Sequence, residues 1–225
     1  MPGKKFLENQ SKIKSGERYS PETAIDLLKQ MHQPKFDATV ELHLKLGIDP
    51  KKGEQQVRGT IVMPHSLGKS RKVIAFVESA KEAEAKEAGA DIIANEETIA
   101  EIAKSGTINF EVAVATPSMM PKLAKIAKIL GPKGLMPNPK TETVGVQIKK
   151  MITEIKHGKV TFKNDDTGNL HLAIGKISFD KEKLLGNLTA ILEAIRKAKP
   201  AGAKGTYLKS AVLKTTMSPG VRIAV

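Results

Sequence analysis

The alternation of apolar and polar residues differs between the ends of the chain and its middle. At both ends, apolar residues recur at every second position, which is typical of strands with one buried face. In the middle, short continuous apolar runs alternate with helical patterns, which is typical of a parallel sheet covered on both faces. The predicted strands of the ends are 38–46, 56–63, 159–164, 170–178, 205–216 and 220–225, and those of the middle are 72–77, 90–94 and 110–115.

Helices are predicted where apolar residues are spaced by three and four and where the ends carry helix signals. Ser20 can cap a helix over 21–31, and Pro21 suits its first position. A longer helix over 180–198 ends before Pro200. In the middle of the chain, helices are predicted at 79–88, at 118–130, at about 145–156 and in a segment with Glu96 and Glu97 in its first turn.

The order of these elements favours two domains, one inserted into the other. The two chain ends share a pattern that the middle lacks, so 1–64 and 160–225 are expected to form one discontinuous domain and 65–159 an inserted one. Hinges are expected near 64–66 and 155–158, where the composition changes. Two sequential domains remain an alternative, although 1–64 is short for a stable fold.

The connection between the first two predicted strands has the composition of a turn. Its sequence, LGIDPKKGEQ, contains the Pro, Gly and Asp that hairpin connections use. The strand at 56–63 is therefore predicted to pair with the strand at 38–46.

Composition narrows the class of partner. The formal net charge is +13 and the pI is near 9.7, which favours a polyanion such as nucleic acid. Residues 160–225 carry 11 basic and 5 acidic side chains, so the last third has the densest positive charge. The absence of cysteine excludes disulfides, thiolate metal sites and cysteine nucleophiles. No secretory signal or transmembrane helix is expected, because no long apolar run is present.

Motifs for catalysis, nucleotides and metals are weak. The segment Gly68-Lys69-Ser70 lacks the glycine that a phosphate-binding loop needs five residues before Gly68, where Met63 stands. The five histidines contain no i, i+4 pair, and no GxSxG motif occurs. An enzyme acting on an anionic substrate remains an alternative, with polar residues at the strand ends of the inserted domain, namely Asp91, Asn95 and Thr116. A DNA-binding repressor is a second alternative, although no helix-turn-helix is recognisable.

Two further features bear on how RNA would be bound. The segment Leu130–Lys140, LGPKGLMPNPK, is too rich in Gly and Pro for a helix or a central strand. With Lys133 and Lys140 it is either a contact to RNA phosphates or a rigid connector. Aromatic residues are scarce, with six Phe, two Tyr and no Trp, so recognition of shape and sugar-phosphate is expected rather than stacking of splayed bases.

Several long motifs resemble one family, the first protein of the large ribosomal subunit, bacterial type, which binds the mobile stalk at the tRNA exit site. The resemblance runs essentially from end to end. The motifs are PKFDATVELHLKLGIDPKKGEQQVRGTIVMPHSLGK (34–69), GADIIA (89–94), ATPSMM (115–120), LGPKGLMPNPKTETVG (130–145), FKNDDTGNLHLAIGKISF (162–179) and KPAGAKGTYLKSAVLKTTMSPGVRI (199–223).

The resemblance implies a fold of α/β plus α+β type. A Rossmann-like three-layer α/β domain would be inserted into a discontinuous α+β sandwich domain. The protein would be a structural constituent of the large ribosomal subunit in the cytoplasm, without enzymatic activity, cofactor, metal or membrane contact, and a monomer when free. It would bind the ribosomal RNA of the stalk, assist release of deacylated tRNA from the exit site, and repress its own operon by binding the mRNA.

The resemblance also implies RNA contacts. They are expected at Lys35, Phe36, Thr39, Glu41, Thr167, Gly168, His171, Lys176, Ser210, Thr216, Met217 and Ser218, with secondary contacts to RNA or tRNA at Lys133 and Lys140. Hydroxyl groups suit the ribose 2′-OH, and lysines neutralise phosphates.

Ser218 departs from the family pattern. A glycine is usual at this position, where it would permit close approach of the backbone and an unusual φ. From the sequence, Ser218→Gly is therefore expected to be tolerated or to improve RNA affinity.

Overall fold

The computed structural model describes residues 3–14, 16–67 and 72–225, except for the side chain of Lys140. The helices are α1 (Lys4–Ser11), α2 (Pro21–Gln30), α3 (Glu82–Glu87), α4 (Glu96–Ser105), α5 (Met120–Leu123), α6 (Ala127–Leu130), α7 (Ile148–Lys156) and α8 (Lys181–Lys197). The strands are β1 (Thr39–Leu46), β2 (Arg58–Val62), β3 (Val73–Phe76), β4 (Ile92–Ala94), β5 (Val112–Ala115), β6 (Lys159–Lys163), β7 (Asn169–Lys176), β8 (Leu208–Thr215) and β9 (Val221–Ile223). The chain is therefore a mixture of helices and several sheets, as the sequence predicted.

The chain divides into two compact units. The split unit consists of Met1–Gly68 and Thr161–Val225, and the middle unit consists of Lys69–Val160. Each has its own sheet and its own buried core, and each is described by itself.

The split unit is built on an antiparallel sheet with the order β7-β1-β8-β9. Burial alternates strictly along β1, with Val40, Leu42, Leu44 and Leu46 on the buried face. Helices α2 and α8 pack on that face and contribute fully buried aliphatic side chains such as Leu28. Removing these apolar surfaces from water holds the two layers together. The opposite face of the sheet is lined by polar and charged side chains.

A glycine lets α8 approach the sheet closely. A Cβ at Gly175 in β7 would lie 2.8 Å from Leu184 Cδ2 and 2.9 Å from Phe179 Cδ2. Gly175 also lies beside a bulge, because the register between β1 and β7 shifts after Val40. A side chain at this position would push α8 away from the sheet.

The predicted pairing of 56–63 with 38–46 is wrong. Strand β2 pairs with β6 in a separate two-stranded sheet, and both edges of β1 are taken by β7 and β8. The connection after β1 contains a 3-10 turn at Gly53–Gln55 rather than a tight hairpin. The start of β2 is then fixed beside β6, because Val57 N–H donates to Asn164 Oδ1 (2.8 Å) and Asn164 N–H donates to Val57 O (3.0 Å).

The middle unit contains a parallel sheet with the order β4-β3-β5. One apolar core on one side of this sheet joins Ile74 and Phe76 to α4, α5 and α6. A second core joins Val73 and Ala75 to α3 and α7. Within the predicted run at 72–77, residues 73–77 are thus buried on both faces, which is the arrangement that its composition predicted.

Three helices differ from the sequence prediction. The helix expected at 118–130 is divided into α5 and α6 by a 3-10 turn at Ala124–Ile126, yet Leu123, Ile126 and Leu130 all remain buried. Helix α7 begins at Ile148 rather than near 145, because Gly145 N–H is bonded to Ala115 O beside β5. Helix α1 was not predicted, since its sequence has little apolar periodicity. Within the described residues, none of the helices combines the length and the apolar character that a membrane span requires.

Candidate nucleic-acid interface

The open face of the split unit's sheet collects polar residues from four strands. From β1 it includes Thr39, Glu41, His43 and Lys45, and the register places Lys176, Ala173, His171 and Asn169 of β7 beside them. On the other side of β1 stand Lys214, Val212 and Ser210 of β8, and Arg222 of β9 is opposite Val212. The cations Lys45, Lys176, Lys214 and Arg222 outnumber the carboxylate of Glu41. We call this surface the open face.

At one end of the open face, two loops meet the start of β1. Lys176 Nζ donates to Thr39 Oγ1 (2.9 Å) and to Asp37 O (3.3 Å). Thr216 N–H donates to Thr39 O (3.0 Å), and Thr39 N–H donates to Thr216 Oγ1 (3.2 Å). These bonds hold the loop before β1 and the loop after β8 at fixed positions beside Thr39.

Each of these two loops exposes a large apolar side chain. Phe36 is 55% exposed and Met217 is 76% exposed, whereas Lys35 is a free cation beside Phe36 among the described residues. A partner that covered these side chains would remove apolar surface from water, which is favourable. The two loops therefore offer apolar contact and positive charge at the same end of the open face.

Ser218 supports the conformation of the second loop. Its hydroxyl accepts from Thr215 N–H (2.8 Å) and lies within donating distance of Thr215 O (3.2 Å) and Pro219 O (3.0 Å). Its side chain is buried, and the residue with positive φ is its neighbour Met217 (φ 75°). The unusual φ expected at position 218 is thus at position 217, and the serine bonds within the loop rather than facing a ligand.

At the other end of the open face, Asp165 organises the turn before β7. Its Oδ1 accepts from Asn169 N–H (2.6 Å) and Thr167 N–H (2.9 Å). These bonds, with the backbone bond from Asn169 contributing most, hold the pKa of Asp165 well below its ordinary value despite an opposing effect of burial. Lys45 Nζ donates to Thr167 O (2.5 Å), which ties this turn to β1.

Gly168 has a structural role in this turn. It is buried, has φ +79°, and its carbonyl accepts from Leu46 N–H (2.9 Å). A side chain there would be strained and would meet Ile48. Gly168 and Ser218 therefore shape the two turns, whereas exposed Thr167 and Met217 are the neighbours that a ligand can reach.

Two histidines meet in the centre of the open face. Nδ1 of His43 and Nδ1 of His171 lie 2.7 Å apart, and the two ring planes are inclined at 60°. Glu41 Oε2 lies 3.3 Å from His43 Nε2, and Asp165 Oδ2 lies 3.6 Å from His171 Nε2. Burial, followed by repulsion from His171, lowers the pKa of His43, and the attraction of Glu41 only partly offsets this.

The structure brings together most of the residues predicted for RNA contact. Thr39, Glu41, His171, Lys176 and Ser210 lie on the open face, and the two loops and the turn at its ends supply Lys35, Phe36, Thr167, Gly168, Thr216, Met217 and Ser218. The alternation of β1 had already placed His43 and Lys45 on the face of Thr39 and Glu41, but they were not named as RNA contacts. Sequence reasoning also missed Asn169, Lys214 and Arg222 of the open face and Asp165 of the turn at its end. The alternation of β8 could have identified Lys214, but pairing between distant strands was needed for the other three.

Lys133 and Lys140 belong to the middle unit. Lys133 is exposed in the 130–140 loop, and the side chain of Lys140 lies outside the described residues. Leu135 and Met136 of this loop pack on the core of the middle unit, and Leu135 N–H donates to Leu130 O (3.0 Å). These contacts favour the rigid connector and leave Lys133 as its exposed cation.

The polar residues considered for an enzyme site do not converge. Asp91 precedes β4, whereas Asn95 and Thr116 follow β4 and β5, so Asp91 lies at the opposite end of the parallel sheet. Asp91 accepts from Val73 N–H (2.9 Å), and Asn95 caps α4 by accepting from Thr98 N–H (3.1 Å). Their grouping at one sheet edge was wrong, and their side chains serve the local fold.

No cluster of His, Asp or Glu suited to a metal ion occurs among the residues that the structure describes. The segment Gly68-Lys69-Ser70, considered for a phosphate-binding loop, lies outside those residues.

A cation-rich, polar sheet face flanked by shaped loops is a surface typical of nucleic-acid-binding proteins. Comparison with known proteins agrees with this class. The sequence model of the ribosomal protein L1p/L10e family matches residues 28–219. The chain is also 50% identical over 226 residues to the large ribosomal subunit protein uL1 of Persephonella marina (strain DSM 14350 / EX-H1), covering 99% of this chain and 93% of the relative.

The chain therefore belongs to the ribosomal protein L1p/L10e family. The resemblance found in the sequence, including its bacterial type, is confirmed. Membership in this family gives the chain a structural, non-enzymatic role and places it on the ribosome in the cytoplasm, as predicted.

Proposed function

We propose that the chain is a constituent of the large ribosomal subunit and binds the ribosomal RNA of the mobile stalk through the open face. The observation that carries this proposal is the difference between the two faces of one sheet. One face is buried under α2 and α8, whereas the other presents Lys176, His171 and Ser210 to solvent. A structural sheet that leaves a cation-rich face uncovered has a surface available for a polyanion.

The two ends of the open face would make different contacts. Near Thr39, the exposed side chains of Phe36 and Met217 would pack on sugars or bases, and Lys35 and Lys176 would neutralise phosphates. Near Lys45, the hydroxyls of Thr167 and Ser210 would bond to ribose 2′-OH groups. Glu41, between them, would accept from a 2′-OH or a guanine edge.

The same face would serve two RNA targets. Binding to the stalk would let the protein assist release of deacylated tRNA from the exit site. Binding to a messenger element of similar shape would repress translation of its own operon. Both roles rest on the family resemblance. If one face serves both targets, ribosomal and messenger RNA would compete for it, and this competition would link repression to the amount of free protein. The free protein would be a monomer.

The two units would act as domains, with a Rossmann-like middle domain inserted into an α+β sandwich. Hydrogen bonds near 64–66 and 155–158 narrow the positions at which the proposed hinges would lie. Asn187 of α8 bonds to both the N–H and the C=O of His65 (3.0 Å each), which fixes His65 to the split unit. Lys159 is buried and donates to Glu142 (2.6 Å) and Glu154 (2.8 Å) of the middle unit. The pivots would therefore follow His65 and Lys159.

Binding measured across a salt series tests the proposal. The probes are a transcript of the large-subunit ribosomal RNA stalk, an unrelated RNA hairpin and a 2′-deoxy copy of the stalk. We expect the stalk transcript to stay bound at salt concentrations that release both other probes, because contacts to shape and 2′-OH groups do not depend on counterion release. Equal, steeply salt-dependent binding to all three would contradict it, and retained binding to the deoxy copy would favour the DNA-binding alternative.

A matched pair of variants locates the binding surface. Lys176→Gln removes a cation from the open face, and Lys197→Gln removes an exposed cation from α8. Only Lys176→Gln should weaken binding to the stalk transcript substantially, because α8 packs against the buried face of the sheet. Equal losses for both variants would assign the binding to net charge rather than to the open face.

A further inference from the structure

A basic pocket lies where the open face ends at β9. Its volume is about 240 Å³, and it is lined by Arg18, Lys209, Ser210 and Arg222, among others. The backbone builds this pocket from distant parts of the chain. Tyr19 N–H donates to Arg222 O (2.9 Å) and Ala224 N–H donates to Tyr19 O (2.9 Å), so the segment at Arg18 and Tyr19 continues the sheet beyond β9.

The cations of this pocket have no ion-pair partner among the described residues. Arg18, Lys209 and Arg222 are all exposed, and their side chains form no ion pair or hydrogen bond with any described residue. No acidic side chain lines the pocket, and Val225, whose terminal carboxylate lies at the lining, forms no ion pair with the three cations. Glu17, the neighbour of Arg18, pairs instead with Lys14 (3.8 Å). Cations that share one pocket repel one another. An anion placed there would remove that repulsion.

The pocket is continuous with the open face. Arg222 is opposite Val212 in the register of β8 and β9, and Val212 is opposite His43 in the register of β8 and β1. Side chains at paired positions project from the same face, so Arg222 shares the face of His43. Ser210, which the sequence predicted as an RNA contact, also lines the pocket.

We propose that Arg18 and Arg222 bind a phosphodiester group of the same RNA strand that covers the open face, with Ser210 donating its hydroxyl to that group. This proposal rests on the proposed function, and it extends the interface beyond the β8 strand to the β9 edge. A planar guanidinium offers two parallel N–H donors that match a phosphate, and two such groups in one pocket hold it from two directions. Lys209 adds charge at the rim.

The test compares Arg18→Gln/Arg222→Gln with Arg196→Gln. Glutamine keeps much of the side-chain stem and removes the charge, and Arg196 is an exposed arginine of α8, which packs on the opposite face. The probe is the large-subunit ribosomal RNA stalk transcript over a salt series. We expect the double variant to bind roughly tenfold more weakly and to lower the slope of log affinity against log salt by about one, the change expected for one lost phosphate contact. The control should leave the slope unchanged.

Phosphate-ethylation interference identifies the contact directly. With the wild-type protein, ethylation of the phosphate that enters the pocket should prevent binding, and with the double variant this one interference should disappear while the others remain. The melting temperature of the double variant should stay constant or rise, since a structural role would lower it. A double variant with the slope and interference pattern of the wild type would overturn the proposal.

The experiment separates this proposal from the proposed function. If the wild type does not prefer the stalk transcript to an unrelated hairpin, the proposed function fails and the pocket proposal fails with it. If the wild type shows the preference and the double variant matches Arg196→Gln, only the pocket proposal fails.

Discussion

The two larger sheets of the described structure differ in how many of their faces are buried. The parallel sheet of the middle unit carries a core on each side, built around Phe76 and Val73. The antiparallel sheet of the split unit has helices on one side only, and its open face carries His43, Lys176 and Arg222. Parallel strands need crossover helices, which cover both faces, whereas antiparallel strands joined by loops can leave one face to solvent.

This difference decides where a ligand can bind. In the middle unit, polar residues at the ends of the strands are used by the fold, as Asn95 is in capping α4. On the open face, the polar groups of Lys214 and Ser210 remain accessible, because these side chains are not packed in a buried core. The middle unit is therefore expected to respond to mutation through stability, and the open face through RNA affinity.

The largest expected effect is a loss of stability in the middle unit, caused by a substitution in its core that leaves the open face unchanged. Phe76 is fully buried and packs edge to face on Phe110, with ring centroids 6.3 Å apart. Phe76→Ala should destabilise the middle unit by about 3–5 kcal/mol, because it removes a large side chain and leaves a cavity. Its affinity for the stalk transcript should change by less than about twofold, because Phe76 belongs to a different compact unit from the open face. Denaturant unfolding and RNA titration measure the two quantities.

An outcome in which RNA affinity falls in proportion to stability would show that the two units fold as one. Leu130→Ala is a second probe of the same core, because Leu130 is also fully buried. Agreement between the two variants separates loss of the core from an effect peculiar to the aromatic pair.

The converse variant is Phe36→Ala, on the loop before β1. Phe36 is 55% exposed, so its removal should leave the melting temperature unchanged. RNA affinity should fall roughly 10- to 100-fold, which corresponds to the ~1–3 kcal/mol that an aromatic contact to a base contributes. Fluorescence anisotropy with the stalk transcript and a thermal melt of the free protein give both values. Val62→Ala, at another exposed apolar side chain of the split unit, is the control.

Unchanged affinity in Phe36→Ala would remove this loop from the interface. It would leave the face itself, with Lys176 and His171, as the binding surface.

The sequence allowed the faces of individual strands to be predicted but not their partners. The alternation from 38 to 46 correctly placed Thr39 and Glu41 opposite Leu42, because burial of one face imposes a period of two. The contact between His43 and His171 joins residues 128 positions apart, and it depends on the antiparallel register of β1 and β7. Local patterns carry no information on such a register.

The same limit explains the misplaced pairing of β2 and the unrecognised pocket. The turn residues after β1 are compatible with a hairpin, but both edges of β1 are occupied by strands from the last third of the chain. Arg18 lies beside Arg222 because the backbone of Tyr19 is hydrogen-bonded to Arg222 and Ala224, and this pairing joins distant parts of the chain. The loop containing Ser218 was located from its sequence, yet the hydrogen bonds that give the serine its role appear only in the structure.

A smaller effect is expected for Ser218, and the structure reverses the sequence-based expectation for it. Ser218→Ala leaves the buried Thr215 N–H without its acceptor, which should cost about 1–2 kcal/mol. Ser218→Gly loses the same bond and also gains backbone freedom. Both variants should melt a few degrees lower and bind RNA several-fold more weakly, because Met217 is no longer held at its positive φ.

Ser210→Ala is the matched control for a hydroxyl on the open face, where it should affect affinity without affecting melting. If the Ser218→Gly protein binds RNA more tightly than wild type, the sequence-based expectation is correct and the present prediction is wrong. The hydrogen bonds of the serine would then be dispensable.

The smallest expected effect is a pH dependence that originates in the histidine pair. His43 faces Glu41 on its own strand, His171 on β7 and Lys214 on β8, and His171 in turn faces Asp165. When each ring carries one proton, one ring donates its Nδ1–H to Nδ1 of the other, and the bare Nε2 of the donating ring then points its lone pair at a carboxylate. One additional proton on that Nε2 would let both rings direct an Nε2–H at a carboxylate and would keep the hydrogen bond between the two Nδ1 atoms.

The sign of the effect follows from the lowered pKa of His43. In the free protein the pKa of His43 is lowered, first by burial and then by repulsion from His171, and in the unfolded chain this histidine has its ordinary pKa of about 6.5. The unfolded state therefore binds more protons below that value, so this residue makes stability fall as the pH drops through about 6.5. A bound polyanion acts in the opposite direction, because its negative charge favours protonated His43 and raises the pKa of that residue.

RNA affinity should accordingly rise as the pH is lowered from 7.5 to 6.0, by at most about tenfold per pH unit, which is the limit for one linked proton. His43→Gln should flatten this dependence, whereas His157→Gln, at the end of α7, should keep it. Calorimetry in buffers of different ionisation enthalpy measures the proton uptake directly. Equal uptake in wild type and His43→Gln would assign the linked proton to another group, and would leave the histidine pair as a neutral part of the open face whose role is to hold Glu41 and His171 in position.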